Sequence, residues 1–328
     1  MLLHKGPARS FEIFARSSYG DLLLADPLIK YIKQLNTDNK ITLFVEDKNV
    51  QLIEFMENID YFYQMPSKGN KYLIFTLFGL KYRKNKYDIS IAAKTGVGSG
   101  NGFFPYMLGA KKQISYISKT KTWTDKLVNC PITFSEKIYH SQHYALGVLQ
   151  LLDSKLTKIP DYLYPKLKIQ VNVRNNLKPK LLISVSNNND WCLLNNKTIA
   201  SIINTISREF KFDIYISALK SDYDKALELK KKIIPQSTIK LTPLLKDYLE
   251  LINSMDICFF GEGGGMHMAA ALGVQQVAVF GNTSTTTWLP LSNLATVLED
   301  KSNVNNIPTS KILDALKDKL KNIISNES

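Results

Sequence analysis

Short apolar runs alternate with stretches in which apolar residues recur every three or four positions, and this alternation continues through both halves of the 328-residue chain. It is the pattern of βα units wound around a parallel sheet, in which buried strands read as continuous apolar runs and covering helices as one-sided stripes. In the first half, Phe11–Ala15, Ile41–Val45, Asp88–Ala92 and Gln113–Ile117 predict strands. Leu28–Leu35 predicts a helix, with Pro27 suited to its first turn. A polar stretch, Lys155–Lys180, has the composition of an interdomain connection. Beyond it the series resumes with strands at Leu181–Val185, Phe212–Ser217, Ile257–Phe260 and Gln276–Phe280. Helices are predicted near Lys197–Glu209, Tyr223–Ile234 and Leu244–Ser254. The last periodic segment, Ser310–Ile324, reads as an amphipathic helix free to pack on either domain, so a return to the first domain stays open. Two α/β domains are expected, 1–165 and 166–328, each near the usual size for one core.

Composition narrows the functional classes. Hydrophobic residues make up 45% of the chain and charged residues 22%, which is ordinary for a globular protein. Lys and Arg total 42 against 29 acidic residues, a formal charge of +13 that favours phosphates or anionic lipid. The basic residues are dispersed, as at Lys111-Lys112 and Lys230-Lys231-Lys232, and no arginine-rich arm with interleaved aromatics occurs; no nucleic-acid partner is expected. Cys130, Cys192 and Cys258 are few and far apart and form no disulfide framework, which fits a reducing compartment. The most apolar early segment, Tyr72–Leu80, is far shorter than the roughly 20 residues that span a bilayer. The expected location is cytoplasmic, with peripheral contact at the inner face of the membrane as an extension.

The most informative stretch runs Gly261-Glu262-Gly263-Gly264-Gly265-Met266-His267 into Met268–Gly273. Glycines let a ligand approach the backbone, and the run Met266–Leu272 starts a small-residue helix whose first N–H groups and dipole make an anion site. A tight strand–helix turn without a ligand explains an isolated glycine cluster equally well. Here a carboxylate, Glu262, and an imidazole, His267, stand beside it, which favours function. Thr283 and Ser284, in Gly281-Asn282-Thr283-Ser284, suggest a second and weaker anion loop.

In the first half, Ser18-Tyr19-Gly20-Asp21 follows the first strand. Spacing alone makes Asp21 a helix-capping residue; its other reading is a carboxylate that takes a proton from an attacking hydroxyl. His140 and His143 have the spacing of one helical face, but without a third ligand they read as a helix surface. Gly96–Gly100 reads as a flexible loop. No Walker loop, GxSxG elbow, HExxH or GxGxxG after the first strand is present.

Together these segments resemble the glycosyltransferase family that contains the ADP-heptose:lipopolysaccharide heptosyltransferases. The resemblance rests on Ser18–Asp21 with Pro27, on Leu108–Tyr116, on Glu262–Gly273, on Phe280–Ser284 and on Trp288-Leu289-Pro290, with Glu262–Gly273 carrying most of it. It implies the GT-B arrangement: two Rossmann-like domains facing across a cleft, acceptor on the first and nucleotide sugar on the second. It also implies inversion at the anomeric carbon with no cofactor and no required metal. By the same resemblance Asp21 is the general base, and Ser18, Tyr19 and Gly20 contact the acceptor. Glu262, Gly263, Gly264, Gly265, Met266, His267, Thr283, Ser284 and Ser186 line the donor site. The chain departs from the family pattern at Glu262-Gly263-Gly264, where Asp-Ser/Thr-Gly is usual, and at Asn282, where proline is usual. Asn187–Asp190 supplies no basic residue to the donor phosphates.

The expected function is transfer of a heptose, ADP-linked, to a lipopolysaccharide or related surface-glycan core. The partners are a nucleotide-diphosphate sugar and an anionic glycolipid. Two alternatives remain: an enzyme using another nucleotide sugar, and a non-catalytic glycolipid- or nucleotide-binding protein.

Overall fold

The computed structural model describes residues 6–15, 18–93, 99–117, 122–133, 143–170, 178–187 and 189–327. The chain divides into two compact units, Met1–Pro165 and Lys166–Ser328. Each unit holds one six-stranded sheet in which every pairing is parallel.

In the first unit the strands are β1 (Ser10–Ala15), β2 (Lys40–Glu46), β3 (Tyr61–Met65), β4 (Ile89–Ala92), β5 (Lys112–Ile117) and β6 (Cys130–Thr133), in the order β3-β2-β1-β4-β5-β6. In the second they are β7 (Lys180–Ser184), β8 (Asp213–Ala218), β9 (Ser237–Leu241), β10 (Ile257–Gly261), β11 (Gln275–Phe280) and β12 (Ala295–Glu299), ordered β12-β11-β10-β7-β8-β9. Both sheets are wound outward in both directions from their first strand, so the crossovers diverge between β1 and β4 and again between β7 and β10. A doubly wound sheet has its ligand crevice at that point, outside the carboxyl ends of the strands.

The strands expected from apolar runs are the interior ones. Those the pattern left out, β3, β6, β9 and β12, are the four sheet edges. An edge strand buries only part of its surface: β3 and β9 are largely exposed, and β6 contains Pro131, which an edge tolerates because one side needs no ladder hydrogen bond.

The first long helix, Tyr19–Leu35, corrects the expected role of Pro27. The helix begins at the Ser18 cap, so Pro27 lies well inside it rather than in the first turn. Proline there forfeits one N–H bond and crowds the carbonyl a turn back. The helix keeps its course because Leu22, Leu23, Leu24, Leu28 and Ile29 are all 1% exposed or less, anchoring it on both sides of the proline. At the other end of the chain, helix Thr309–Glu327 packs Ile312, Leu316, Leu320 and Ile323 into the second unit's own core, which decides the packing the sequence left open.

Two further expectations change. His143 is the N-cap of helix Tyr144–Leu149, its Nδ1 accepting from the Ala145 amide at 3.1 Å, so it occupies a helix start and not a helical face. His140 lies outside the described residues, as do Gly96–Gly98. Ser99 and Gly100 open helix Ser99–Leu108 instead of continuing a loop.

One face of the first sheet carries an aromatic core, with Phe14 and Phe44 against Phe104 at 4.9 and 5.0 Å between ring centres. Crossing that core is a polar row set by strand register: Thr42 beside Glu12, Glu12 beside Ser90, Ser90 beside Gln113. Glu12 is fully buried and accepts a hydrogen bond from the Ser90 hydroxyl, while its Oε1 has no hydrogen-bond partner among the described residues. Burial raises its pKa from 4.5 to about 8, against the opposing effect of Ser90. The folded state therefore holds a proton that the unfolded chain releases near the ordinary value. Stability is fully present below about 4.5 and is lost as pH rises toward about 8. Glu12→Gln, which keeps an acceptor for Ser90, is expected to flatten that fall and to unfold at higher temperature than the parent protein at pH near 8. Thermal unfolding of both proteins across this pH window checks the expectation.

Candidate functional site

In the second unit the glycine-rich stretch begins where β10 ends. Glu262 is still tied to the sheet, its amide bonding the Val279 carbonyl at 3.0 Å, and helix Gly264–Ala271 follows at once. Gly263 is the N-cap, and among the described residues no side chain caps this helix start. An uncapped first turn leaves N–H groups that an anion can satisfy. Met266 and His267 are buried, 1% and 5% exposed, so this turn presents backbone outward in place of their side chains.

The glycines have separate reasons. A Cβ on Gly261 would lie 2.1 Å from the Cys192 carbonyl oxygen, so this glycine lets the segment after β7 close over the end of β10. A Cβ on Gly265 would lie 2.5 Å from the Tyr248 hydroxyl oxygen, so that position seats the helix against its neighbour, Leu245–Asn253. Part of the cluster is thus explained by close packing.

Across the divergence between β7 and β10, Asn187 Nδ2 donates to the Glu262 carbonyl at 2.6 Å. Glu262 Oε2 accepts from the Thr283 hydroxyl and from the Cys192 thiol, the latter at 3.6 Å. One carboxylate therefore joins three loops, those following β7, β10 and β11. Desolvation raises the Glu262 pKa, while the hydrogen bonds from Thr283 and Cys192 oppose the rise. Burial, and then the adjacent carboxylate, push the Cys192 thiol up to about 12, which makes it a neutral donor and not a nucleophile. Glu262 Oε1 has no hydrogen-bond partner among the described residues.

The other sequence-predicted residues have local partners. Ser186 Oγ accepts from the Leu219 amide at 2.9 Å, tying the end of β7 to the loop after β8. Ser284 caps the short helix Thr285–Trp288, accepting from the Thr286 amide at 3.2 Å. Glu299 holds the same loop by bonding the Thr285 amide and hydroxyl at 3.0 and 3.1 Å. Asn187 and Cys192 were missed as site residues because nothing in the spacing of the sequence joins them to position 262.

In the first unit, Ser18 and Asp21 form a capping box at the carboxyl edge of β1. Asp21 Oδ2 accepts from the Ser18 amide at 3.0 Å and the Ser18 hydroxyl at 3.1 Å, and the Asp21 amide bonds Ser18 Oγ at 3.4 Å. The carboxylate is thus held at a helix start, beside the divergence of β1 and β4. Burial and, less strongly, the Asp21 charge raise the Tyr144 phenol, which donates to the Ala93 carbonyl at 2.9 Å. Gly20 is buried and Tyr19 half-buried. The spacing-only reading of Asp21 as a capping residue describes what the carboxylate does in the folded chain. Among the described residues no hydrogen bond engages its second oxygen.

Two doubly wound units, with an uncapped glycine turn at the divergence of the second sheet and a positioned carboxylate at that of the first, define the GT-B class of glycosyltransferases. The chain belongs to glycosyltransferase family 9 (heptosyltransferase), whose model matches residues 78–319. It is similar to lipopolysaccharide heptosyltransferase 1 of Campylobacter coli, with 23% identity over 83% of each chain. Among solved structures it resembles a family 9 glycosyl transferase from Veillonella parvula, with TM-score 0.80 and 14% identity over 98% of this chain and 99% of that one. It also resembles the ADP-heptose lps heptosyltransferase II of E. coli, with TM-score 0.77 and 14% identity over 97% and 100%. Among the described residues no cluster of three or more His, Cys, Asp or Glu could hold a metal, and no helix is long and apolar enough to cross a membrane.

The packing role of Gly265 gives a direct check. Gly265→Ala is expected to destabilise the protein by about 1–3 kcal/mol through overpacking. Tyr248→Phe, which removes the hydroxyl nearest the added methyl, should restore part of that loss. Denaturant unfolding of the single and double variants measures both.

Proposed function

We propose that this glycosyltransferase moves a heptose from an ADP-linked donor to a lipopolysaccharide or related surface-glycan core, with inversion at the anomeric carbon. The observation that carries the reading is the uncapped glycine turn at the divergence of β7 and β10, in a chain whose family and relatives are heptosyltransferases. The E. coli relative, whose name specifies ADP-heptose, supports the choice of donor.

In this reading the donor diphosphate lies on the amides that open helix Gly264–Ala271, with Gly263 giving it access and Thr283, Ser284 and Ser186 on the flanking loops. As the glycosidic phosphate bond breaks, negative charge grows on the leaving nucleotide diphosphate. Fixed N–H dipoles and the positive helix end stabilise that charge without reorganising, so no divalent metal is required. Asp21 takes the proton of the acceptor hydroxyl as it attacks, while Ser18, Tyr19 and Gly20 shape the acceptor side. The capping box fixes the orientation of the base, as the residue behind a general base does in other enzymes. The acceptor is an anionic glycolipid.

Transfer is tested by incubating the protein with ADP-heptose and a truncated, water-soluble core glycan in the presence of EDTA and weighing the product by mass spectrometry. A heptose increment is expected. Activity only after magnesium or manganese is restored would exclude the metal-free mechanism, and a product only from another nucleotide sugar would change the donor. Asp21→Asn retains an acceptor for the Ser18 amide and should keep the fold, yet it should lose about 10²–10⁴ in turnover. Equal turnover in the variant would return Asp21 to a purely capping role.

Glu262 is proposed to read the sugar. One oxygen is taken by Thr283 and Cys192, and the other is the acceptor available to a sugar hydroxyl. A charged hydrogen bond is worth roughly 1.5–3 kcal/mol, so Glu262→Gln should weaken binding of the sugar nucleotide by about tenfold or more. ADP itself should bind nearly as before. Calorimetry on both ligands decides the matter: equal weakening would make Glu262 a brace between loops and nothing more.

A further inference from the structure

The helix following β3, Lys71–Tyr82, is the apolar segment that the sequence marks as too short to span a bilayer, and little of it is buried. Phe75 and Gly79 face the protein. A Cβ on Gly79 would lie 2.3 Å from the Met107 Cβ, so this glycine brings the helix hard against Ser99–Leu108 and fixes which side turns outward. The outward side carries Leu73, Leu77 and Leu80, exposed to 58%, 59% and 54%. Positions i, i+4 and i+7 form one stripe, and three leucines half or more exposed along it are a contiguous apolar feature and not scattered residues.

The surroundings of that stripe are basic. From Ser67 to Tyr87 there are six cationic residues, Lys68, Lys71, Lys81, Arg83, Lys84 and Lys86, all exposed, and no acidic one. Helix Ser99–Leu108, packed behind, has no charged residue. Asp125, on the neighbouring turn, is buried in its own capping box with Thr122, and Asp47 bonds Ser67 at the start of the segment. Trp123, 57% exposed, closes an aromatic group with Tyr72 and Phe103 at 6.0 and 5.7 Å between ring centres. Leucines on one face, lysines on both flanks and a tryptophan at the margin are the composition of a helix that lies in a lipid interface.

We propose that helix Lys71–Tyr82, with Trp123 beside it, docks the first unit on the surface of a bilayer containing anionic lipids. Leu73, Leu77 and Leu80 enter the headgroup–acyl boundary, and the six cations meet the anionic headgroups. The inference deepens the proposed glycolipid acceptor and rests on it in one respect. The amino end of this helix follows the carboxyl end of β3, and Trp123 follows that of β5, so the docking surface begins along the sheet edge that also carries Asp21. A membrane-held acceptor would then be presented at that edge.

Co-sedimentation with vesicles of phosphatidylcholine alone, and of phosphatidylcholine with phosphatidylglycerol, tests the proposal. The protein should partition onto the anionic vesicles and be released as salt rises and screens the charges. A Leu73→Ser/Leu77→Ser variant should melt within a few degrees of the parent, because both side chains are already in water. It should lose about tenfold or more in vesicle partitioning. Lys81→Gln/Lys84→Gln should weaken partitioning and reduce its dependence on salt. Equal binding to the two vesicle types, no binding, or variants that bind as the parent does would overturn the proposal. A parent dimer that the leucine substitutions dissociate would overturn it in favour of a second copy of the chain. Transfer to the water-soluble acceptor is measured on the same samples. Loss of docking with transfer intact removes only this inference, whereas docking without transfer removes only the proposed function.

Discussion

Every feature of the candidate site depends on one property of these sheets, that a parallel sheet wound both ways from its first strand must open where the winding reverses. Crossovers between parallel strands are right-handed as a rule, so a chain that runs from β1 to β2 in one direction and from β4 to β5 in the other parts the loops after β1 and β4. The same holds after β7 and β10. At such a point the backbone groups at strand ends and helix starts face a crevice with no crossover of their own to cover them. In the second unit the crevice receives Asn187 from one side and Glu262 from the other, and in the first it receives the Ser18–Asp21 cap.

Holding these loops in place costs polar groups, and the chain meets that cost with few of them. Glu262 is the clearest instance, since one carboxylate oxygen collects Thr283 and Cys192 and so fixes three loops at once. A shorter aspartate at this position, the usual residue in the family pattern, has one methylene less with which to reach both. The substitution Glu262 and the polar Thr283 therefore belong to one local solution, coupled through a hydrogen bond. Gly261 and Gly265 complete it by letting backbone and phenol approach where any side chain would collide.

Much of the architecture was legible because its central strands are buried on both faces and are therefore largely apolar, even where a polar row such as Thr42 and Glu12 crosses them. Phe11–Ala15, Ile41–Val45 and Ile257–Phe260 announce themselves in this way. The edge strands did not, for the same reason in reverse: β12 is half-buried at every position, and such a strand has no run to detect. Pro27 misled because local chemistry favours proline at a helix start, whereas the Ser18 capping box and the buried leucines set the start a full two turns earlier. Within the site, the glycine turn was visible as composition. Its partners Asn187 and Cys192 were not, because the contacts that recruit them span about seventy residues and follow from strand order and not from spacing.

Asp21 shows how a structural and a chemical reading can occupy one side chain. A capping carboxylate at the third position of a helix gains from the N-cap amide and from the helix dipole. The general base proposed above must be held at a fixed angle to the hydroxyl it deprotonates. The cap supplies that constraint through one oxygen, Oδ2, which accepts from the Ser18 amide and hydroxyl at 3.0 and 3.1 Å.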